Sequence, residues 1–259
     1  MCLILLAWQA HPEYRLVLAA NRDEFHARPA AALGWWPDEP EILGGRDLQA
    51  GGTWLAAARS GRLATVTNYR EDLAPQPGVR SRGELVTRFL KGSDSALRFA
   101  GALDGDDYAG FSLLAVELGA SASEALVYVS NRGDPARALT PGLYGLSNAS
   151  LDTPWPKVLR SKARLASLLE AGVDADALLA LLADREPGSS EDIADAIADD
   201  LPRETARAIA APFVVTPEYG TRCSTVVLAS ASGEVDMCER RFDAAGTPTG
   251  ESHVRFALS

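Results

Sequence analysis

The order of strand-like and helix-like segments limits the possible folds of this chain more than any other feature of its sequence. Apolar runs come in close pairs, Leu3–Trp8 with residues 15–20 and residues 53–58 with Arg62–Asn68. Short polar connections join the members of each pair, which is the pattern of β-hairpins. The Pro-rich, Trp-containing stretch 28–40 between the two pairs is expected to form an ordered loop.

Helical periodicity appears in blocks between the strand pairs. The S-x-x-E sequence at residues 81–84, followed by apolar residues at helical spacing, predicts a helix with a capping box that ends at Gly92. A second helical block begins at Trp155, and strand-like sequence returns at residue 225. Hairpins combined with helices in blocks predict an α+β layered fold, and the lack of a linker-like segment predicts a single domain over residues 1–259.

Composition and charge argue against several classes of protein. The net charge of -10 disfavours nucleic acid and anionic membranes as partners, because both attract positive surfaces. Cys2, Cys223 and Cys238 are too widely spaced for a zinc site, a redox pair or a haem attachment motif. The apolar opening lacks a basic leader, and no apolar run is long enough to span a bilayer. We therefore expect a cytoplasmic protein without stable membrane insertion and without a metal site.

The cysteine at position 2 is the first candidate for chemistry. A small second residue favours removal of Met1, which would leave a thiol and a free α-amine on Cys2. An α-amine has a reference pKa of about 7.7 to 8.0, so near neutral pH it can accept the proton of the thiol. Cys2 would then supply both the nucleophile and its general base.

Polar residues near strand ends are candidates for the rest of such a site. The first hairpin places Asn21 and Asp23 beside the start of the chain, where a carboxylate could orient the amine. Asn68 and Asn148 follow apolar strands and are candidate donors to an oxyanion, and Arg222 precedes a strand and could bind a carboxylate. Each residue has an ordinary alternative, because asparagine is frequent in turns and arginine is frequent on surfaces.

Several sequence blocks together carry a resemblance to a known family. The blocks are MCLILLAW at the start, NRDE at 21–24, GGTWLA at 51–56, TNYRE at 67–71, SRGELV at 81–86, YGLSNASLDTPWPKV at 144–158 and YGTRCSTVVL at 219–228. The chain resembles the NRDE family, also called the transport and Golgi organisation protein 2 family. This resemblance implies a four-layer αββα fold of the N-terminal nucleophile hydrolase type. It also implies a more distant similarity to choloylglycine hydrolases and penicillin V acylases.

The resemblance also implies catalytic roles. The matching residues are Cys2 as the nucleophile, Asp23 as the carboxylate that holds the amine, Asn148 as an oxyanion donor and Arg222 as a further polar partner. The distant hydrolases carry an arginine directly before their Asn-x-Asp motif, whereas Ala20 occupies that place here and the arginine is Arg22. A shift of two residues along a strand keeps a side chain on the same face but moves it by about 6 to 7 Å.

The first functional hypothesis is an amidohydrolase or acyltransferase that acts on a small amide or acyl substrate through a thioester of Cys2. Such a reaction requires no cofactor. The candidate substrate-binding residues are Asn21, Arg22, Asn68 and Trp54. An indole ring suits an apolar acyl chain, although tryptophan also packs ordinary cores.

Two other hypotheses belong to different functional classes. Members of the resembling family are implicated in moving haem, which suggests a haem-binding chaperone on a hydrolase-like fold. Its possible iron ligands are Cys2, His11, His26 and His253, and Arg22 would be available for the propionates. The third hypothesis is binding of acyl lipids or acyl-CoA without turnover.

Overall fold

The structure is a computed structural model that describes residues 2–70, 80–120, 124–188 and 203–259. The strands in chain order are β1 (Leu3–Trp8), β2 (Tyr14–Phe25), β3 (Ala30–Trp36), β4 (Glu39–Asp47), β5 (Leu55–Ala58), β6 (Arg62–Asn68), β7 (Phe111–Glu117), β8 (Leu126–Ser130), β9 (Arg137–Ala138), β10 (Gly142–Leu146), β11 (Tyr219–Ser230), β12 (Glu234–Phe242) and β13 (Pro248–Ala257). The helices are α1 (Gly83–Lys91), α2 (Ala96–Gly101), α3 (Pro156–Ala171), α4 (Ala175–Leu182) and α5 (Arg203–Ile209).

The strands form two antiparallel sheets. The first sheet has the spatial order β10, β1, β2, β11, β12, β13, and the second runs from β3 to β9 in chain order. Sequential hairpin pairing builds the second sheet, whereas the first depends on pairing between the two ends of the chain. The site described below lies where β10, β1, β2 and β11 are neighbours.

Three apolar clusters define four layers. One cluster lies between the two sheets and includes Leu18 of β2 and Leu63 of β6. A second cluster, which includes Phe89, packs α1 and α2 on the outer face of the second sheet. A third, which includes Leu165, packs α3 and α4 on the outer face of the first sheet. Each sheet thus buries both of its faces, and the predicted αββα arrangement is confirmed.

Strand β2 is longer than the sequence pattern predicts. The apolar pattern ends at residue 20, but the strand continues to Phe25 because β11 pairs with it, placing Tyr219 opposite Phe25. The tetrapeptide at residues 21–24 therefore lies within a strand rather than beyond one. Its side chains alternate between the two faces of the first sheet.

Two other local predictions need correction. Stretch 28–40 is not a loop, because residues 30–36 form β3, which pairs with β4 at the edge of the second sheet. Helix α1 is confirmed, but its capping box is not: Arg82 is the N-cap residue and makes no side-chain capping bond, while the Glu84 carboxylate pairs with Arg80. In the part of the chain that the structure describes, no helix is both long and apolar enough to cross a membrane.

Candidate active site

Cys2 lies directly before β1 and is held through its backbone by the residues that follow β10. Its nitrogen donates a hydrogen bond to Asn148 Oδ1 at 2.7 Å, and its carbonyl accepts one from Ser147 Oγ at 2.7 Å. The two strands pair with Ile4 opposite Leu146, which brings the end of β10 beside the start of β1. Both peptide groups of this residue are thus fixed by side chains of a neighbouring strand end. Ser147 adjoins the candidate Asn148 but has no sequence signal that singles it out.

Asn148 also connects Cys2 to the second sheet. Its Nδ2 donates to the carbonyl oxygen of Asn68 at 2.8 Å. Its backbone is left-handed, with φ of 49°, a conformation that asparagine tolerates better than most residues. Asn68 takes part through its backbone, while its side chain is exposed. The observed bonds of Asn148 position Cys2, and donation to an oxyanion stays a prediction.

The thiol of Cys2 lies beside Asp23. Its Sγ is 3.9 Å from the carbonyl oxygen of Asp23, and the same carbonyl accepts a hydrogen bond from the Tyr219 hydroxyl at 2.9 Å. The carboxylate of Asp23 accepts a hydrogen bond from Thr221 Oγ1 at 2.7 Å. Cys2, Asp23 and Asn148 therefore belong to one site, and β11 supplies two further polar groups that sequence analysis did not single out.

Burial dominates the electrostatics of this site. Desolvation raises the pKa of the Cys2 thiol and of the Asp23 carboxyl. Lys157, at 2% exposure, donates from Nζ to the carbonyl of Ile209 at 3.1 Å, and burial lowers its pKa. The positive charge of Lys157 opposes the effect of burial on Asp23. The buried ammonium group of Lys157 thus lies near the Cys2 thiol and the Asp23 carboxyl. In the sequence, this lysine stands out only because it lies among apolar residues at the start of a helix.

Asn21 anchors β2 to the helix layer. Its Nδ2 donates to the carbonyl oxygens of Leu182 at 2.9 Å and Pro212 at 2.8 Å, and its Oδ1 accepts from Ser224 Oγ at 2.6 Å. The side chain is 1% exposed. These bonds give Asn21 a positioning role on the strand that carries Asp23.

Comparison with known proteins identifies the family. The family model described as Transport and Golgi organisation 2 matches residues 1–244. The Transport and Golgi organization protein 2 homolog of Bos taurus is 39% identical over 256 residues, covering 93% of this chain and 92% of that protein. The homolog of Homo sapiens is 38% identical over 258 residues with the same coverage. The chain belongs to the Transport and Golgi organisation 2 family.

A solved structure shows the fold type of this family member. The Caenorhabditis elegans ortholog of N-acylethanolamine-hydrolyzing acid amidase aligns with a TM-score of 0.51 and 9% identity, over 88% of this chain and 92% of that chain. The likeness confirms a fold of the N-terminal nucleophile hydrolase type. At this identity the likeness shows the fold alone.

Arg222 makes hydrogen bonds to the backbone at the end of β2. It lies at a β-bulge of β11, between Thr221 and Cys223 in the pairing with β2. Its Nη1 donates to the carbonyl oxygens of Phe25 at 3.2 Å and His26 at 2.6 Å. These hydrogen bonds hold the chain that leaves β2, and a direct role at Cys2 stays a prediction.

Arg22 and Trp54 meet on the opposite face of β2 from Asn21. The guanidinium carbon of Arg22 is 4.3 Å from the centroid of the Trp54 ring. Trp54 belongs to the segment that enters β5 of the second sheet, so this contact spans the space between the sheets. Two of the candidate substrate-binding residues are therefore in contact.

The histidines of this family member lie in separate places. His11 is in the turn between β1 and β2, at the opposite end of the hairpin from Cys2. His26 contacts a backbone carbonyl through Nε2 at 3.0 Å, and His253 pairs with an aspartate on β12. Over the described ranges these residues form no shared ligand set with Cys2. Haem binding stays a prediction that no observed ligand arrangement supports.

A wide surface cleft lies away from these groups. Its volume is about 960 Å³, and it is lined by residues of β4, the β5–β6 turn, the end of α1 and the end of β7, including Glu39, Lys91 and Glu117. None of the residues that hold Cys2 lines it. The cleft and the residues around Cys2 are therefore separate regions of the molecule.

Proposed function

We propose that this protein is an amidohydrolase or acyltransferase that forms a thioester at Cys2. The main supporting observation is that side chains hold the backbone of Cys2: Ser147 donates a hydrogen bond to its carbonyl, and Asn148 accepts one from its nitrogen. These bonds fix the thiol of Cys2 beside Asp23. Such support is expected of a nucleophile that must keep one orientation. The fold supports the proposal, and the aligned solved structure is an amidase that hydrolyses N-acylethanolamines, which favours amides as substrates.

In the proposed reaction, removal of Met1 makes Cys2 the first residue, and its α-amine takes the proton of the thiol. This base is needed because burial raises the pKa of the thiol and so disfavours the thiolate. Asn148 Oδ1 accepts an N–H of the amine, which orients the nitrogen lone pair. The Asp23 carboxylate, with Lys157 near it, compensates the positive charge that the amine acquires.

The chemistry then proceeds in two balanced steps. The thiolate attacks the carbonyl carbon of the amide, the C–N bond breaks, and the amine leaves with the proton first taken from the thiol. A thioester links the acyl group to Cys2. Water in a hydrolase, or a second acceptor in a transferase, adds to the thioester, the C–S bond breaks, and a proton returns to the sulfur.

Intact-mass measurement and acyl capture test this proposal. Protein isolated from its native host is expected to lack Met1. It is then incubated with N-acylethanolamines and N-acylglycines of matched chain length, and both the released amine and any acyl adduct on the Cys2 peptide are measured. Cys2→Ala is expected to lower amine release about a thousandfold or more and to remove the adduct.

Cys238→Ala is the matched control, because Cys238 is a buried cysteine on β12 outside the site. Its activity and its adduct at Cys2 are expected to equal those of the wild type. Retention of Met1 in the native protein, or equal amine release by Cys2→Ala, would rule out the proposed mechanism.

A further inference from the structure

Arg22 is a neighbour of Cys2 across the first strand pair. Leu3 of β1 pairs with Asn21 of β2, so the antiparallel register continues with Cys2 opposite Arg22. Ile4 and every second residue after it in β1 face the space between the sheets, and alternation places Cys2 on that side. The Arg22 charge partly offsets the effect of burial on the pKa of the Cys2 thiol, which agrees with this placement.

The second sheet provides a fixed support for Arg22. Its guanidinium carbon lies 4.3 Å from the centroid of the Trp54 ring, a cation–π distance. Trp54 in turn lies against Gly45, where an added Cβ would be only 2.4 Å from Cζ2 of the indole. The glycine therefore allows the ring to lie where it does, and the ring holds the guanidinium on the side of the thiol.

One nitrogen of this guanidinium is buried and has no hydrogen-bond partner among the described residues. Arg22 is 6% exposed, and across the described residues no atom makes a hydrogen bond with its Nη1. The Glu24 carboxylate is 4.0 Å from Nη2, at the outer limit of an ion pair. Buried polar groups are usually hydrogen-bonded, so an unpaired guanidinium nitrogen beside a candidate nucleophile calls for a ligand.

A second arginine stacked on tryptophan shows what a fully paired guanidinium looks like here. Arg46 lies 4.2 Å from the centroid of Trp36 and donates to both oxygens of Asp38, at 2.6 and 2.9 Å. Both terminal nitrogens of Arg46 are used by that carboxylate, in the bidentate geometry that guanidinium groups prefer. Arg22 has the aromatic support of Arg46 without its carboxylate.

We propose that Arg22 and the face of Trp54 form an anion subsite beside the Cys2 thiol, which binds a carboxylate of the substrate. This inference rests on the proposed function and names its substrate class: acyl compounds with a carboxylate within a few atoms of the carbonyl that Cys2 attacks. The carboxylate accepts a hydrogen bond from Nη1, and neighbouring apolar parts of the substrate contact the indole. Uncharged amides of the same shape are poorer substrates, because they leave Nη1 unpaired.

Alkylation of Cys2 tests the subsite without relying on turnover. The probes are iodoacetate, which carries a carboxylate, and iodoacetamide, which is neutral and of similar size. The rate of modification of the Cys2 peptide is followed by mass spectrometry for each reagent, and the ratio of the two rates is compared between variants. A change in the pKa or the accessibility of the thiol affects both reagents alike and cancels in this ratio.

The iodoacetate to iodoacetamide ratio is expected to be about tenfold higher at wild-type Cys2 than for N-acetylcysteine amide, a reference thiol without a carboxylate, because a nearby buried cation attracts the anionic reagent. Arg22→Gln is expected to remove this advantage, and Arg22→Lys to retain part of it, since lysine keeps the charge but not the planar fork. Arg46→Gln is the matched control and should leave the ratio unchanged.

A wild-type ratio no higher than that of N-acetylcysteine amide overturns the subsite, whether or not the Arg22 variants fold. An unchanged ratio in folded Arg22→Gln overturns it as well. The outcome is separable from that of the proposed function. An Arg22-dependent ratio in a protein without Cys2-dependent turnover supports the anion subsite and refutes hydrolysis, whereas turnover with an Arg22-independent ratio refutes the subsite alone.

Discussion

The two faces of β2 at residues 21–24 differ in how completely their polar groups are paired. On the face toward the helices, the Asn21 side chain makes three hydrogen bonds, and the Asp23 carboxylate accepts one from Thr221. On the face toward the second sheet, Arg22 is also buried, yet its Nη1 has no hydrogen-bond partner among the residues described.

This difference in hydrogen bonding indicates which face of β2 holds the strand in place and which face is available to bind a ligand. A fully bonded buried side chain stabilises the fold, while a buried polar nitrogen without a partner lowers stability and persists where a ligand can complete it. Leu3 pairs with Asn21, so extending the register and alternation of β1 puts Cys2 opposite Arg22, on the incompletely paired side. Under the proposed function, the helix-facing side supports the strand and the sheet-facing side is where the substrate binds.

The largest expected effect is the loss of the Asn21 amide from the support side. Asn21→Ala leaves two backbone carbonyls and the Ser224 hydroxyl without their buried partner, and we expect the free energy of unfolding to fall by about 3 to 5 kcal/mol. Urea denaturation measures it. Asn68→Ala is the control, since that side chain is exposed, and should change stability by less than about 0.5 kcal/mol. Equal effects of the two substitutions would contradict the assignment of Asn21 as an anchor.

Removing the Lys157 charge is expected to have a smaller effect that depends on pH. Lys157 holds the pKa of Asp23 below the value that burial alone would give, so in Lys157→Met that pKa rises further. A carboxyl with a raised folded-state pKa loses stability as pH rises from its unfolded-state pKa through its folded-state pKa. We expect a loss of about 2 to 4 kcal/mol near pH 7 and a smaller loss near pH 5, where Asp23 can bind a proton.

Urea unfolding of Lys157→Met and the wild type at both pH values measures this dependence. Lys162→Met is the matched control, because Lys162 lies on the same helix and forms a surface pair with Asp152 at 2.6 Å. Its effect is expected to be under about 1 kcal/mol at either pH. A loss for Lys157→Met that is the same at both pH values would show that the lysine acts by packing alone.

Local patterns predicted much of the architecture but not the faces of β2. Strand β1 and helix α1 were predictable because hydrophobic periodicity is a local signal. The extension of β2 to Phe25 was not, because it depends on β11, almost 200 residues later in the chain, which has no local signature in β2. Without that extension, the opposite orientations of Asn21 and Arg22 could not be predicted either.

The candidate site was predictable only in part for the same reason. The resemblance to the NRDE family and the first hairpin pointed to Cys2, Asp23 and Asn148, which the structure brings together. Lys157 reaches the site from a helix, and a buried lysine looks like any other lysine in a sequence. The prediction of a loop at residues 28–40 was wrong. Strand β3 has no clear alternation of apolar and polar residues, and it is stabilised by its pairing with β4.

On the sheet-facing side, the Trp54 support can be disturbed without touching Arg22. Gly45→Ala places a Cβ about 2.4 Å from the indole, and the resulting overpacking is expected to cost about 1 to 3 kcal/mol of unfolding free energy. In Gly45→Ala/Trp54→Leu the smaller side chain relieves the clash, so the double variant should lose less stability than the sum of the single variants. A double-mutant cycle by urea denaturation measures this coupling. Additive effects would show that the glycine and the ring do not constrain each other.

The smallest effect is expected at Arg22 itself, and it separates the two faces most clearly. Arg22→Gln loses the cation–π contact with Trp54, which costs roughly 1 kcal/mol. It also removes a buried charge whose Nη1 has no hydrogen-bond partner in the described part of the chain, which restores a similar amount. We therefore expect the unfolding free energy to change by less than about 1 kcal/mol in either direction, as measured by urea denaturation near neutral pH. A loss of unfolding free energy close to that of Asn21→Ala would mean that the Arg22 guanidinium is a structural anchor like the Asn21 amide. Both faces of β2 would then serve to hold the strand in place.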